Sequence, residues 1–127
     1  MTLGALAARQ RHARTRGCAA RVAYSNAWAT RLPAAFPLYP EARVAEAAGT
    51  DAAGCGFRIV TQVTDAAPES VIGFYRAQAT GAGFSAERQR DGATQVLGGT
   101  RGDAAFIVYA NPRAGGGSEV DLIVNSR

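Results

Sequence analysis

One stretch of the sequence has the spacing of an amphipathic α-helix, and it limits the folds that are open to the rest of the chain. From Pro68 to Ala82, apolar side chains recur every three or four residues and fall within an arc of about 160° on a helical projection. Pro68 suits the first turn of a helix, Glu69 complements the positive end of the helix dipole, and Gly83 is a typical stop signal. The buried positions of this predicted helix are Val71, Phe74, Tyr75 and Ala79.

Six segments with the composition of β-strands surround this helix. Two precede it, at residues 42–47 and 57–63, and the second alternates regularly between two faces. Four follow it, at residues 84–89, 94–97, 104–110 and 119–125, separated by turn signals at Asp91-Gly92, residues 98–103 and residues 111–118. The pattern predicts an α+β domain, with one helix packed on an antiparallel sheet of about six strands in the order β-β-α-β-β-β-β.

The residues before the first predicted strand form a proline-rich strap. Three prolines within residues 32–40 exclude a regular helix and favour an extended chain. We expect the strap to pack on the domain through its apolar side chains, which are Phe36, Leu38 and Tyr39. The sequence therefore predicts a single domain over residues 32–127.

The net charge of +4 is unevenly distributed along the chain. Residues 1–31 hold six arginines and no acid, whereas the remainder holds eight arginines and all ten acids. Residues 1–31 are therefore predicted to be a basic arm, poorly ordered or marginally helical, attached to a weakly acidic domain. A nucleic-acid-binding domain carries its basic residues on the fold, so we expect no nucleic-acid partner. No apolar run approaches the ~20 residues of a transmembrane helix.

Two cysteines bear on the compartment of the protein. Cys18 in the arm and Cys55 in the domain could pair in an oxidising environment. A glycine precedes Cys18, as in a lipoprotein cleavage site, but Thr15 and Arg16 do not fit the positions before it. The apolar stretch at residues 3–8 is too short for a signal peptide, and the positive charges follow it. The sequence leaves open whether Cys18 carries a lipid anchor or pairs with Cys55.

Catalytic and metal-binding patterns are missing from the predicted domain. The only histidine, His12, lies in the arm, which argues against Ser-His-Asp or Cys-His catalysis and removes the usual transition-metal ligand. The glycine-rich turns lead into strands and the chain has no lysine, so they do not match a phosphate-binding loop. Surface charge accounts for the acids at turns and outward strand positions: Glu46, Asp51, Asp65, Glu69, Glu87, Asp91, Asp103, Glu119 and Asp121. We assign no catalytic, cofactor-binding or metal-binding residue and expect no cofactor.

The strongest functional signal from the residues is apolar. Tyr109 alternates with Val108 along a predicted strand, so it is expected on the sheet face that the helix leaves open. If Ile107, Tyr109 and Ile123 share that face, they form an apolar patch that requires a partner.

The strap and the helix together resemble a known group of domains. The strap reads Phe-Pro-Leu-Tyr-Pro-Glu-Ala, and residues 68–84 read Pro-Glu-Ser-Val, then Phe-Tyr-Arg, then Ala-Gly-Phe. This resembles small, largely uncharacterised α+β domains of Gram-negative envelope proteins, often lipoproteins, with a P-x-Y-P-x-A strap and a helix of the type P-E-x-V…F-Y…A-G-F. The resemblance implies an exported, non-enzymatic domain that can be membrane-anchored. The arm departs from the pattern because it lacks an export signal.

These observations favour a non-catalytic structural or interaction module of the bacterial cell envelope, periplasmic or envelope-associated, with an unknown protein partner. The alternative is a domain that binds a small apolar ligand between helix and sheet, in a pocket lined by residues such as Val71, Tyr75 and Val108. A third class, an enzyme that uses carboxylates alone, requires two acids that face one cleft.

Overall fold

The computed structural model describes residues 22–52 and 55–125. In these two ranges the chain forms one α-helix and seven strands that make a single antiparallel sheet. The predicted α+β class, one helix packed on an antiparallel sheet, is confirmed. In chain order the elements are β1 (Ala23–Tyr24), a 3-10 helix (Asn26–Arg31), β2 (Arg43–Thr50), β3 (Phe57–Thr64), α1 (Pro68–Gly81), β4 (Glu87–Asp91), β5 (Thr94–Arg101), β6 (Ala104–Pro112) and β7 (Ser118–Asn125).

The helix α1 carries the chain from the middle of the sheet to its far edge. The strand order is β1-β2-β3-β7-β6-β5-β4, so β3 at the centre is followed in sequence by β4 at one edge. From β4 the chain returns as a meander, and β7 pairs with β3 so that Asp121 lies opposite Thr61. The predicted succession of hairpins after the helix is confirmed. α1 packs across β5, β6 and β7 on one side, which we call the first face of the sheet.

Two elements lie before the predicted first strand. β1 pairs with β2, and it brings the strands of the described chain to seven where about six are predicted. The 3-10 helix begins where the Ser25 hydroxyl accepts a hydrogen bond from the N–H of Ala27 (3.2 Å). Residues 22–31 are therefore part of the fold, although the sequence assigns them to the basic arm. Residues 1–21 of that arm lie outside the described residues.

The predicted turn at residues 98–103 is wrong in its first half. β5 continues through Arg101, and only the two residues after it form the turn. Gly99 is needed for a close approach within the sheet, because a Cβ at this position would overlap the carbonyl group of Ser85. Two hydrogen bonds join Ser85 to β5 at this point. The Ser85 N–H donates to the Thr100 carbonyl, and the Thr100 N–H donates to the Ser85 hydroxyl (both 3.0 Å).

The strap supplies the centre of the main core. Phe36 is fully buried, and its ring centroid lies 5.1 Å from that of Phe84 and 4.7 Å from that of Phe106. The N–H of Phe84 donates to the carbonyl of Ala79 (2.9 Å), which directs the Phe84 ring back under the helix. For this reason β4 begins at Glu87, three residues later than predicted.

The helix buries a slightly different set of residues from the one predicted. Val71, Tyr75 and Ala79 are fully enclosed as expected, and Ile72 joins them. Phe74 is only half-buried, so the prediction that it is a buried anchor is wrong. Its ring lies at the edge of the helix face, where Tyr39 of the strap covers it from one side at a centroid distance of 5.2 Å.

A pair of alanine substitutions tests this placement. Phe36→Ala should lower the free energy of unfolding by about 3–5 kcal/mol, because it removes a fully buried ring. Phe74→Ala should cost clearly less, because part of that ring is already in contact with water. Urea denaturation followed by circular dichroism measures both. Equal losses would contradict the assignment of Phe36 as the centre of the core.

Candidate functional site

A closed circuit of hydrogen bonds links the strap, the sheet and the helix inside the domain. Gln62 of β3 is fully buried, and its Oε1 accepts from the N–H of Tyr39 (2.8 Å). Its Nε2 donates to the hydroxyl oxygen of Tyr75 (2.9 Å), and that hydroxyl donates to the carbonyl of Pro37 (2.7 Å). The circuit begins and ends in the strap, so it fixes the strap against both β3 and α1.

Enclosure changes the acid–base chemistry of Tyr75. Burial raises the pKa of its hydroxyl from 10.0 to about 12, and the hydrogen bond with Gln62 only partly offsets this. The hydroxyl therefore stays protonated at neutral pH and keeps its donor bond to the carbonyl of Pro37. A group with this pKa is poorly matched to proton transfer near neutral pH, so the geometry supports a structural role for it.

A second cluster of side chains holds the 3-10 helix on the first face of the sheet. The guanidinium carbon of Arg58 lies 4.6 Å from the ring centroid of Trp28, and that of Arg31 lies 5.1 Å away. Nη2 of Arg58 contacts Oδ1 of Asp51 at 2.6 Å, and its Nε donates to the carbonyl of Arg31 (3.2 Å). Gly49 leaves room for the indole, because a Cβ there would lie 3.0 Å from it. Packing and ion pairing account for this cluster.

The sheet face opposite α1, which we call the second face, has an apolar centre. Ile107 of β6 lies opposite Ile123 of β7, and Tyr109 follows two residues later on the same side. Ile59 of β3 extends the row beyond Ile123. The prediction that Ile107, Tyr109 and Ile123 share one face is confirmed. The second-face patch is a hydrophobic cluster separate from the core under α1, and its members are Val96, Ala105, Ile107, Tyr109 and Ile123.

Charges divide between the two faces of the sheet. Every acid within the described strands has a second-face register position: Glu46, Glu87, Asp91, Glu119 and Asp121. Of the five arginines in these strands, Arg43 is on the second face, and four are on the first: Arg58, Arg88, Arg90 and Arg101. The second face is therefore an apolar centre with an acidic surround. A complementary surface would be apolar and cationic.

A groove of about 680 Å³ lies on the outside of the core, where the strap meets the C-terminal end of α1. Alanine, proline and phenylalanine side chains form most of its wall. Arg101 borders it, with its guanidinium 4.5 Å from the ring centroid of Phe84 and a hydrogen bond to the carbonyl of Ala82 (2.7 Å). The side chains predicted to line a pocket between helix and sheet are fully enclosed in the core and lie outside this groove: Val71, Tyr75 and Val108.

The acids considered in the sequence lie on the second face, in the connecting segments and on α1. Within the described residues, no three His, Cys, Asp or Glu side chains come together in a way that could hold a metal ion. Asp51 pairs with Arg58, and Asp121 accepts a hydrogen bond from the Thr61 hydroxyl (2.8 Å). His12 lies outside the described residues. In the described part of the chain, no helix is long and apolar enough to span a membrane.

Sequence reasoning missed the hydrogen-bonded circuit and the Trp28 cluster. The partners of Gln62 are 23 and 13 residues away along the chain, so no local pattern marks it. The one available signal is that β3 carries apolar residues on both faces, with a polar Gln62 between Val60 and Thr64. Such a strand is covered on both sides, and a polar residue inside it needs a partner.

The chain matches no known protein family, no curated protein and no solved structure. The class that the structure defines is that of an α+β domain with one helix on an antiparallel sheet. The resemblance of the strap and helix to Gram-negative envelope domains stays a prediction.

Tyr75→Phe tests the circuit. At neutral pH we expect a loss of about 1–3 kcal/mol in the free energy of unfolding, because Gln62 loses a buried partner. The pKa of Tyr75 is raised in the folded state, so its contribution to stability is complete below pH 10 and falls as the pH rises towards 12. The gap between wild type and variant should therefore narrow above pH 10, by at most about 1.4 kcal/mol per pH unit. Denaturation curves between pH 7 and 12 measure this.

The matched control is Tyr109→Phe, which removes a hydroxyl from the second face and leaves the circuit intact. Its stability should follow that of the wild type across the same pH range. A constant gap between the wild type and Tyr75→Phe above pH 10 would contradict the role assigned to Tyr75.

Proposed function

We propose that this chain is a non-catalytic structural or interaction module of the bacterial cell envelope. The observation that carries the proposal is how the domain uses its enclosed polar side chains. Gln62 and Tyr75 hold the strap, sheet and helix together through hydrogen bonds of 2.7–2.9 Å, and neither lines the groove. Acid–base catalysis requires polar groups that converge on a cleft open to substrate, which is a different arrangement.

The charged side chains support the same proposal. Arg31 and Arg58 lie over the ring of Trp28, and both pair with Asp51, which fastens the 3-10 helix to the sheet. Asp121 is engaged by a hydroxyl on the neighbouring strand. These contacts stabilise the fold. They engage charged side chains that an enzyme would instead direct at a substrate.

The disulfide of Cys55 supports an envelope location. Cys55 is disulfide-bonded, and Cys18 is the only other cysteine in the sequence. Disulfides form and persist in the bacterial periplasm and are rare in the cytosol, where thiols are kept reduced. The resemblance of the strap and helix to envelope domains points to the same compartment.

Fractionation of the source cells with intact-mass analysis tests the location. We expect the protein in the periplasmic or membrane fraction, with a mass that rises by two hydrogens on reduction. A membrane-bound form that begins at a lipidated Cys18 would also support the envelope assignment, and it would require another partner for Cys55. A cytosolic protein with both cysteines reduced would contradict it. A cytosolic marker enzyme in the same fractions is the control.

The groove favours a second candidate function, the binding of a small apolar ligand. Its volume of about 680 Å³ is sufficient for a small molecule. Its wall is mostly apolar and includes Arg101 and Gln78, so a ligand with an apolar body and an anionic end fits its chemistry.

Anilinonaphthalene sulfonate, an apolar anion, is a suitable probe for the groove. Ala77→Trp places an indole at an exposed position of the groove wall, so it should lower the fluorescence gained on binding the probe. The control is Gly73→Trp, on an exposed side of the same helix where an added Cβ meets no atom within 4 Å. If both variants bind the probe as the wild type does, the groove is not its site and the ligand-binding candidate fails.

A further inference from the structure

We infer that residues 1–21 of this chain cover the second face of the sheet and form a third layer of the domain. The burial of the second-face patch is the first argument. Ile107 is 2% exposed and Ala105 is fully buried, although α1 and the strap pack on the opposite side. Neighbouring side chains of a twisted sheet do not by themselves remove an isoleucine from water, so another segment has to lie over it.

Charge complementarity is the second argument. The second face surrounds its apolar patch with five acids and a single arginine, Arg43. Residues 1–21 contain five arginines, one histidine and no acid, together with the apolar residues Leu3 and Leu6. An apolar and cationic segment is the chemistry that this face would recognise.

The point at which this segment joins the fold is the third argument. It ends at Arg21, two residues before the edge strand β1 begins at Ala23. The first face is already occupied by the 3-10 helix, the strap and α1. The second face is therefore the surface open to a segment that arrives at this edge.

The disulfide of Cys55 would tether the segment to the sheet close to the second face. Cys55 lies two residues before Phe57, whose register position opposite Asn125 is on the second face. β1 and β3 are separated by two strand spacings, about 10 Å. The five residues from Cys18 to Ala23 can extend about 17 Å, so a Cys18–Cys55 bond is within reach.

Beyond the tether, the length of the segment fits the width of the patch. The patch begins at β7, the strand next to β3, and ends at β5, about 14 Å from β3. Residues 1–17 would span about 25 Å as a helix, which is enough to cross these strands. Residues 3–8 favour a helix by composition, and their two leucines can face the patch.

A second copy of the chain is a poorer occupant. Two second faces placed against each other would bring five acids from each copy together around the apolar centre. Like charges at an interface oppose association. The basic segment of the same chain meets the same face with opposite charge and without any dependence on concentration.

Limited proteolysis of the full chain by trypsin tests the inference. Trypsin cleaves after Arg9, Arg11, Arg14 and Arg16, and mass spectrometry follows each bond separately. We expect these bonds in the full chain to be cut at least about tenfold more slowly than in a synthetic peptide of residues 1–21, at every protein concentration. A non-reducing peptide map should contain Cys18 joined to Cys55.

Two variants make the test specific to the second face. Tyr109→Ala removes a half-buried aromatic ring from the second-face patch, and it should raise the cleavage rate several-fold. Phe74→Ala removes a half-buried ring from the opposite side of the sheet, and it should leave that rate unchanged. The inference is overturned if the full chain and the peptide are cut at the same rate. Protection that rises with protein concentration would overturn it in favour of a second copy, and a Cys55 joined to another molecule would overturn it by removing the tether.

Discussion

The burial of one polar side chain, Gln62, organises the first face of this domain. The side-chain amide of Gln62 would lower the free energy of unfolding if its oxygen or nitrogen were buried without a hydrogen-bond partner. Both atoms are satisfied, by the N–H of Tyr39 and the hydroxyl of Tyr75. Since the strap and the helix each supply one partner, neither can move without leaving the amide unsatisfied. The circuit therefore places Phe36, three residues before Tyr39, between the rings of Phe84 and Phe106.

The sheet itself is built to be covered on both sides. β3 and β7 lie at its centre, and β7 carries Leu122 towards the helix and Ile123 towards the second face. A sheet with one face in water shows polar residues on that face, whereas central strands covered on both sides carry apolar residues on each. The acids stand around the second-face patch, and most of the strand arginines stand on the other side. This separation gives the two faces different surface chemistry.

Local patterns in the sequence are sufficient to predict the helix, the meander after it and the shared face of Ile107, Tyr109 and Ile123 in the second-face patch. Periodicity alone could not show which aromatic residue of the helix is fully enclosed, because that depends on where Tyr39 of the strap lies. It also could not separate a glycine that makes a turn from Gly99, which makes room for the Ser85 carbonyl. β1 has two residues, too few for any alternation to be visible. The circuit around Gln62 joins residues far apart in the chain, and the groove depends on how the strap meets α1.

The two faces of the sheet differ in how tightly their surroundings are fixed. On the first face the buried amide allows one arrangement of strap and helix, so this side behaves as a fixed scaffold. The second face has a largely buried apolar patch and a surround of carboxylates, which specify the chemistry of what covers it but not a single geometry. The inferred covering segment, if held there by a disulfide, would have a high effective concentration, so an external partner would have to bind tightly enough to displace it. Of the two faces, the second is therefore the one whose covering could change while the circuit on the first stays intact.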